Sequence, residues 1–100
     1  MSKKQENSIS MSGKVIEVCS PERISDKFSK RVVVLEVFDN KGYVNEVPYE
    51  FVNQNMEQLK DVRPGNWVTI LHQEKARKQQ KDGQPVRRFI TLEGISCYIE

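Results

Sequence analysis

Cysteine and histidine are scarce in this sequence of 100 residues, which contains two cysteines and one histidine. Cys19 and Cys97 each lie in an apolar, strand-like stretch, and there is no CxxC spacing. A Cys/His zinc site would need both cysteines to converge on His72, because such sites use thiolate and imidazole ligands together. We therefore predict two reduced, buried thiols and no metal or cofactor. A disulfide bridge or a redox role is the alternative.

Long apolar runs are also missing. The first eight residues, MSKKQENS, are polar, and no run has the length that a signal peptide or a membrane span needs. A chain of this length builds about one hydrophobic core. We expect a soluble cytoplasmic protein in which residues 1–8 form a flexible arm and residues 9–100 form a single domain.

Familiar catalytic motifs are absent from the sequence. There is no Gly-rich phosphate loop, no HExxH and no GxSxG. A single histidine cannot supply both a general base and a metal site in the usual arrangements. The sequence therefore predicts a protein that is not an enzyme.

Five stretches have the pattern of β-strands. Apolar and polar residues alternate through residues 29–40, 43–51 and 66–73, and strand-like segments also occur at 13–21 and 87–100. Asn53 as N-cap, with Met56 and Leu59 at helical spacing, predicts a short helix over residues 53–61. The order β-β-β-α-β-β is that of the OB-fold. We predict an all-β domain, a five-stranded OB-fold Greek-key barrel with one short helix between strands three and four.

Alternation also assigns side chains to the two faces of each strand. The polar segment 21–29 is predicted to be a connection. Phe89 and Thr91 are predicted to point outward, as is Trp67. The residues predicted to point inward are Val33, Leu35, Val37, Val47, Tyr49, Phe51, Val68, Ile70, His72, Ile90 and Leu92.

Positive charge is concentrated in residues 74–88, EKARKQQKDGQPVRR. This segment has six basic and two acidic side chains, a net charge of +4 in a chain whose total is +2, so the other residues sum to −2. It falls in the predicted hairpin loop between strands four and five, which flanks the usual ligand groove of an OB-fold. The segment can attract a polyanion, or it can be a solvated loop that keeps the protein soluble.

The sequence resembles short bacterial OB-fold domains related to single-stranded DNA-binding proteins, including primosomal replication protein B and a related family of unknown function. The resemblance covers residues 13–99 and lies in GKVIEV, VVVLEVFD, VPYEFV, QLKDVRPGNWVTI and RRFITLEGI. It implies binding of single-stranded nucleic acid, usually by a dimer, with bases stacked on aromatic rings and phosphates held by Lys and Arg. The sequence ends in CYIE, without the acidic, Phe-terminated tail of the general single-stranded DNA-binding proteins. We therefore expect an accessory role in DNA replication, repair or recombination.

Cations and exposed aromatic rings are what binding of single strands without sequence preference requires. Phe89, beside Arg88, is the best stacking candidate. Trp67 is interpreted as a base platform, a dimer contact or a cover for the helix. Phe28, Phe38 and Tyr43 stay open between core and contact. The predicted nucleic-acid-binding residues are Lys30, Arg31, Trp67, Lys75, Arg77, Lys78, Lys81, Arg87, Arg88 and Phe89, with single-stranded DNA favoured over RNA.

Three predicted outward carboxylates oppose this interpretation. Glu36, Glu46 and Glu50 would place acid on the usual ligand face, where it repels phosphate, so the binding surface would shift toward the loop between strands four and five. The alternative function is an OB-fold that binds only proteins, since a fold does not fix its ligand. Replication or repair proteins are possible partners. Outward apolar side chains predict a homodimer: Val32, Val34, Trp67 and Leu71.

Overall fold

A computed structural model describes residues 8–100 of the chain. The predicted arm, residues 1–8, lies outside this range except for Ser8, and it stays a prediction. Within these residues there are six strands and one 3₁₀ helix, which follows the fourth strand. Their bounds are β1 Ser8–Val18, β2 Glu22–Ser25, β3 Phe28–Phe38, β4 Val44–Val52, the 3₁₀ helix Asn53–Leu59, β5 Trp67–Gln79 and β6 Arg87–Ile99.

Five of these strands close a barrel. The first half of β1 pairs with β5, and residues from Lys14 to Val18 pair with β3, with a register shift between Val15 and Glu17. Strands β3 and β4 pair along their length, as do β5 and β6. One parallel pair, Glu50 with Glu93, joins β4 to β6. The predicted five-stranded OB-fold barrel is confirmed.

Two local predictions were wrong. The polar segment predicted as a connection contains β2, whose four residues are all exposed and pair with the start of β3. Such a strand buries no side chain, so it leaves no apolar alternation in the sequence. Asn53 is not the N-cap, because Val52 takes that position without a side-chain hydrogen bond. Instead Asn53 has a positive φ of 49°, and its Oδ1 accepts a hydrogen bond from the Ser29 amide at 3.0 Å.

The turn after the helix fixes where β5 begins. Gly65 has a φ of +96°, a conformation that costs glycine little because it has no Cβ. Its amide donates to the Val15 carbonyl at 2.7 Å, and the Val15 amide donates to the Asn66 carbonyl at 2.8 Å. The Pro-Gly passage thus fastens the end of the helical segment to the middle of β1.

The core follows the predicted inner faces through the barrel. Phe51 packs against Gly94, where an added Cβ would overlap the phenyl ring. Tyr49 meets the ring of His72 edge to face, with 4.9 Å between ring centroids. The buried side chains are Val15, Val33, Leu35, Tyr49, Phe51, Leu59, Val62, Val68, Ile70, His72 and Cys97. Val37, Val47 and Leu92 pack against them while partly buried.

Ile90 is the inward prediction that failed, since 65% of it is exposed. Strands β5 and β6 remain paired beyond the point where β6 leaves β4. The alternation there is intact, but no element within residues 8–100 lies opposite to bury the inner side chains. Ile90 therefore belongs to a two-stranded extension of the barrel.

The two cysteines differ in their surroundings. Both thiols are free, with Cys97 buried and Cys19 only partly so. Burial raises the pKa of Cys97 to about 11. The prediction of a buried thiol therefore holds for Cys97 and only in part for Cys19. In residues 8–100 there is no helix with the length and apolar character to span a membrane.

Candidate nucleic-acid interface

Most of the basic segment is strand, not loop. Strands β5 and β6 pair as far as Gln79 with Arg87, which leaves residues 80–86 as the connection. Within it, Gly83 has a φ of +75°, and the Gln84 amide donates to the Lys81 carbonyl at 3.0 Å. We name residues 74–92 the ribbon. Because its strands are in register, each cation in them has a fixed face.

One face of the ribbon continues the outer surface of the barrel. Residues that are directly paired in an antiparallel ladder lie on the same face. Arg77 is paired with Phe89, and Gln79 is paired with Arg87. The phenyl ring, 42% exposed, therefore lies among cationic side chains. This outer face carries Lys75, Arg77, Gln79, Arg87, Phe89 and Thr91.

The other face of the ribbon continues the barrel interior past its end. Lys78 is paired with Arg88, and Ala76 with Ile90. Arg88 and Phe89, which are neighbours in the sequence and were both predicted to bind nucleic acid, consequently lie on opposite faces. A single bound strand that lies on one face of the ribbon cannot use both.

Lys75 is partly neutralised at the base of the ribbon. Its Nζ lies 3.1 Å from Glu93 Oε2, and Glu93 is the more buried partner. No other cation of the ribbon forms an ion pair within residues 8–100. Lys81 lies in the connection, beside Arg87 and two glutamines. Together with Pro85 they line a small cavity of about 110 Å³: Gln79, Lys81, Gln84 and Arg87.

Lys30 and Arg31 do not join this surface as a pair. Arg31 is directly opposite buried Phe51, and its Nε donates to the Cys19 carbonyl at 2.8 Å. It thus holds the chain between β1 and β2. Lys30 lies on the other face of β3, and its Nζ is 3.6 Å from Glu50 Oε1.

The acidic face expected from the sequence is present in part. Glu50 is compensated by Lys30, but Glu36 and Glu46 are directly opposite each other on β3 and β4. Neither of these two forms an ion pair with the part of the chain that the structure describes. Like charges directly opposite are unfavourable and repel phosphate. This end of the outer barrel face is therefore a poor site for a polyanion.

Exposed aromatic rings occur in four places within residues 8–100. Trp67, 47% exposed, lies on the outer face of β5, ten residues and about 33 Å along the strand from Arg77. Tyr98, which the sequence did not single out, is 65% exposed on the same face as Trp67. Phe38 and Tyr43 are 62% and 69% exposed at the hairpin between β3 and β4. Only Phe89 lies within the cationic ribbon.

The hairpin that carries Phe38 and Tyr43 is ordered by one carboxylate. Asp39 Oδ1 accepts hydrogen bonds from the amides of Tyr43 at 3.0 Å and Lys41 at 2.9 Å. These amides lower the pKa of Asp39, which keeps it ionised. Phe28, the third aromatic that the sequence left open, is 38% exposed.

The outward apolar residues that predicted a homodimer are mostly covered. Val32, Val34 and Leu71 are partly buried, and Trp67 is exposed. Within residues 8–100 there is no group of three or more His, Cys, Asp or Glu side chains arranged to hold a metal ion.

Comparison with known proteins agrees with this architecture. The model of a family described as a domain of unknown function, DUF3127, matches residues 10–96. No curated protein matches the chain. Three solved structures illustrate the fold likeness, and each covers nearly the whole of both chains.

The mitochondrial single-stranded DNA-binding protein Rim1 of S. cerevisiae has a TM-score of 0.73 at 12% identity, covering 96% of each chain. The dimeric N-terminal domain of PriB from Thermoanaerobacter tencongensis has a TM-score of 0.65 at 17% identity, covering 94% of this chain and 96% of that one. The Plasmodium falciparum SSB in complex with ssDNA has a TM-score of 0.62 at 19% identity, covering 100% of this chain and 99% of that one. At these identities the likeness establishes the fold, and it confirms the similarity to SSB and PriB proteins.

Proposed function

This chain belongs to the DUF3127 family, and we propose that it binds single-stranded nucleic acid, DNA in preference to RNA, through the outer face of the ribbon. One observation carries the proposal: Phe89 is directly paired with Arg77, and Arg87 lies two residues along β6 on the same face. An exposed ring flanked by cations is what sequence-tolerant binding of single strands requires.

In this proposal each side chain has its own task. Phe89 stacks a base, while Arg77 and Arg87 hold the flanking phosphates, since a guanidinium matches phosphate oxygens with two parallel hydrogen bonds. Lys81, beside Arg87 at the tip cavity, contacts the next phosphate. Lys75 contributes less, because Glu93 already compensates its charge. None of these side chains performs a chemical step, so the proposed role is non-enzymatic.

The biological setting is proposed on the fold likeness. Two of the similar structures are single-stranded DNA-binding proteins, and the third is a dimeric PriB domain. We extend this to an accessory cytoplasmic role in DNA replication, repair or recombination, performed by a homodimer that can also meet replication or repair proteins. Sedimentation equilibrium at micromolar protein tests the dimer, and a monomer mass would remove that part of the proposal.

Two matched double variants test the binding surface. Arg77→Gln with Arg87→Gln removes two cations from the outer face, and Lys78→Gln with Arg88→Gln removes two from the inner face. Each phosphate contact contributes about 0.7 to the slope of log affinity against log salt for a single strand. We expect the outer variant to flatten the slope for oligo-dT by about 1.4 and the inner variant to leave it nearly unchanged.

Fluorescence titrations with oligo-dT, oligo-U and duplex DNA at several salt concentrations measure these slopes. Far-UV circular dichroism checks that both variants are folded. Equal flattening in the two variants would mean that the ribbon acts only through its net charge. Unchanged affinity and slope in both would mean that the ribbon is a solvated extension and that the proposal fails.

A further inference from the structure

Two strand edges are left open where the ribbon leaves the barrel. Strands β4 and β6 run parallel and meet at Glu50 and Glu93. Toward their N-terminal ends they diverge, so residues 44–49 of β4 and 87–92 of β6 each have one neighbouring strand within the described part of the chain. About half of the N–H and C=O groups in each segment therefore point into the gap between them.

The gap is an apolar notch, lined by Val32, Pro48, Glu50, Ile90, Thr91 and Leu92, with a volume of about 350 Å³. Proline is tolerated in a strand where its nitrogen faces away from the ladder, and Pro48 is paired on its other side with Val34 of β3. Its nitrogen accordingly offers no donor to the notch, so β6 is the better template. Ile90, 65% exposed, forms the apolar wall on that side.

The positive charge at the free edge of β6 favours an acidic strand over a second copy of this chain. Arg87 and Arg88 occupy its outer end, while the carboxylates at its inner end are compensated, Glu50 by Lys30 and Glu93 by Lys75. A second copy added here would bring two cationic ribbons side by side, and cations on an edge are a known protection against self-pairing. An acidic strand meets the opposite situation, because its carboxylates would lie beside the arginines.

We propose that the free edge of β6 at residues 87–92, which spans about 20 Å, binds an extended acidic peptide of a partner protein as an added strand. The peptide pairs its backbone with β6, places apolar side chains over Ile90 and Leu92, and directs carboxylates toward Arg87 on the outer face. Main-chain pairing uses the donors and the acceptors of the edge alike, whereas phosphate can use only the donors. The inference rests on the open edge and not on nucleic-acid binding.

A synthetic probe tests this assignment. The probe is acetyl-Glu-Val-Glu-Ile-Glu-Val-Glu-amide, and its control has lysine at the four glutamate positions. We expect the acidic peptide to bind the full chain at least tenfold more tightly than the lysine peptide. Hydrogen exchange followed by NMR should show new protection at amides within residues 87–92. No binding of the acidic peptide at millimolar concentration, or protection confined to other residues, would overturn the proposal.

Two neutral substitutions on opposite faces of the same strand separate the peptide from nucleic acid. Ile90→Asn removes the apolar wall of the notch and should weaken the acidic peptide at least tenfold while leaving oligo-dT binding within twofold. Phe89→Asn should weaken oligo-dT binding at least tenfold while leaving the affinity for the acidic peptide within twofold. Equal peptide affinity for Ile90→Asn and the unaltered chain would reject the notch. If oligo-dT fails to bind any of the three proteins while the peptide behaves as expected, the proposed function fails and this inference stands.

Discussion

In the barrel, residues 67–73 of β5 alternate between inner side chains that are buried and outer ones that are not, whereas residues 74–79 of the same strand are exposed on both faces. The change coincides with Glu50 and Glu93, the one point where β4 holds β6. Between Trp67 and Gln73 the inner side chains belong to the barrel core, where His72 meets the ring of Tyr49 of β4. Among residues 8–100, no element covers either face of residues 74–79. A single regular strand thus forms part of the core wall in one half and the proposed binding surface in the other.

The comparison separates two kinds of constraint. A side chain inside the barrel must fit its neighbours in volume, since protein interiors are close-packed. A side chain in the ribbon is constrained by charge and by which face it lies on. Substitutions should therefore affect the free energy of unfolding in the barrel and the affinity for a ligand in the ribbon.

The largest difference should come from truncating one large side chain in each region. Phe51→Ala removes a fully buried ring packed on Gly94 and should lower the free energy of unfolding by about 3–5 kcal/mol. Ile90→Ala, in the ribbon, should cost less than about 0.5 kcal/mol. Urea denaturation followed by circular dichroism measures both. A similar loss in the two variants would show that the ribbon is packed against something in solution.

How far the sequence predicts each region follows from the same contrast. Alternation correctly identified Leu35, Tyr49 and Ile70 as core, because the barrel has a covered face for every strand. It failed at Ile90, since the period of two specifies a face but not whether another element lies opposite. The sequence pattern does not predict the exposed strand β2 for a related reason, since β2 has no buried apolar face.

The candidate site could be located from the sequence but not resolved. The excess of basic over acidic residues in residues 74–88 identifies the charge cluster from the sequence alone. Which cations accompany Phe89 depends on the register of β5 with β6, and that register contains a shift next to Leu71 that leaves Ile95 unpaired. The pairing of Arg31 with the Cys19 carbonyl likewise joins residues distant in the chain, and no local pattern encodes it.

The next effect concerns the two exposed aromatic rings on the outer face of β5 and β6. Phe89→Ala should weaken oligo-dT binding by roughly 1–3 kcal/mol with little change in salt slope, because it removes a stacking partner and no charge. Trp67→Ala, about 33 Å away in the barrel, should leave the affinity unchanged if the site is confined to the ribbon. Fluorescence polarisation with a labelled oligonucleotide measures both affinities. A loss of similar size for Trp67→Ala would extend the binding path along the whole strand.

A smaller effect tests how dry the barrel interior is. Burial raises the pKa of Cys97 from 9.0 to about 11. A raised pKa means that the folded state favours the protonated thiol, so this stabilisation is complete below pH 9 and is lost as pH rises through 11. Between pH 8 and pH 11 the unaltered protein should lose about 1–2 kcal/mol more stability than Cys97→Ala. Parallel loss of stability in the two proteins would show that water reaches the thiol.

The last prediction concerns the junction itself, where Glu93 of the barrel compensates Lys75 of the ribbon at 3.1 Å. Glu93→Gln frees the ammonium group for phosphate, so affinity for oligo-dT should rise and the salt slope should steepen by up to about 0.7. The lost ion pair should lower the free energy of unfolding by no more than about 1 kcal/mol, since Lys75 is largely exposed. The matched control is Glu74→Gln, which makes the same change of charge one residue from Lys75 on the inner face but has no ion pair within residues 8–100. Glu74→Gln should raise the affinity for oligo-dT because it removes a negative charge near the ribbon, but it should not add a phosphate contact. If the two variants steepen the salt slope equally, the ion pair with Glu93 does not keep Lys75 from contacting phosphate. The junction between barrel and ribbon then does not limit the binding surface.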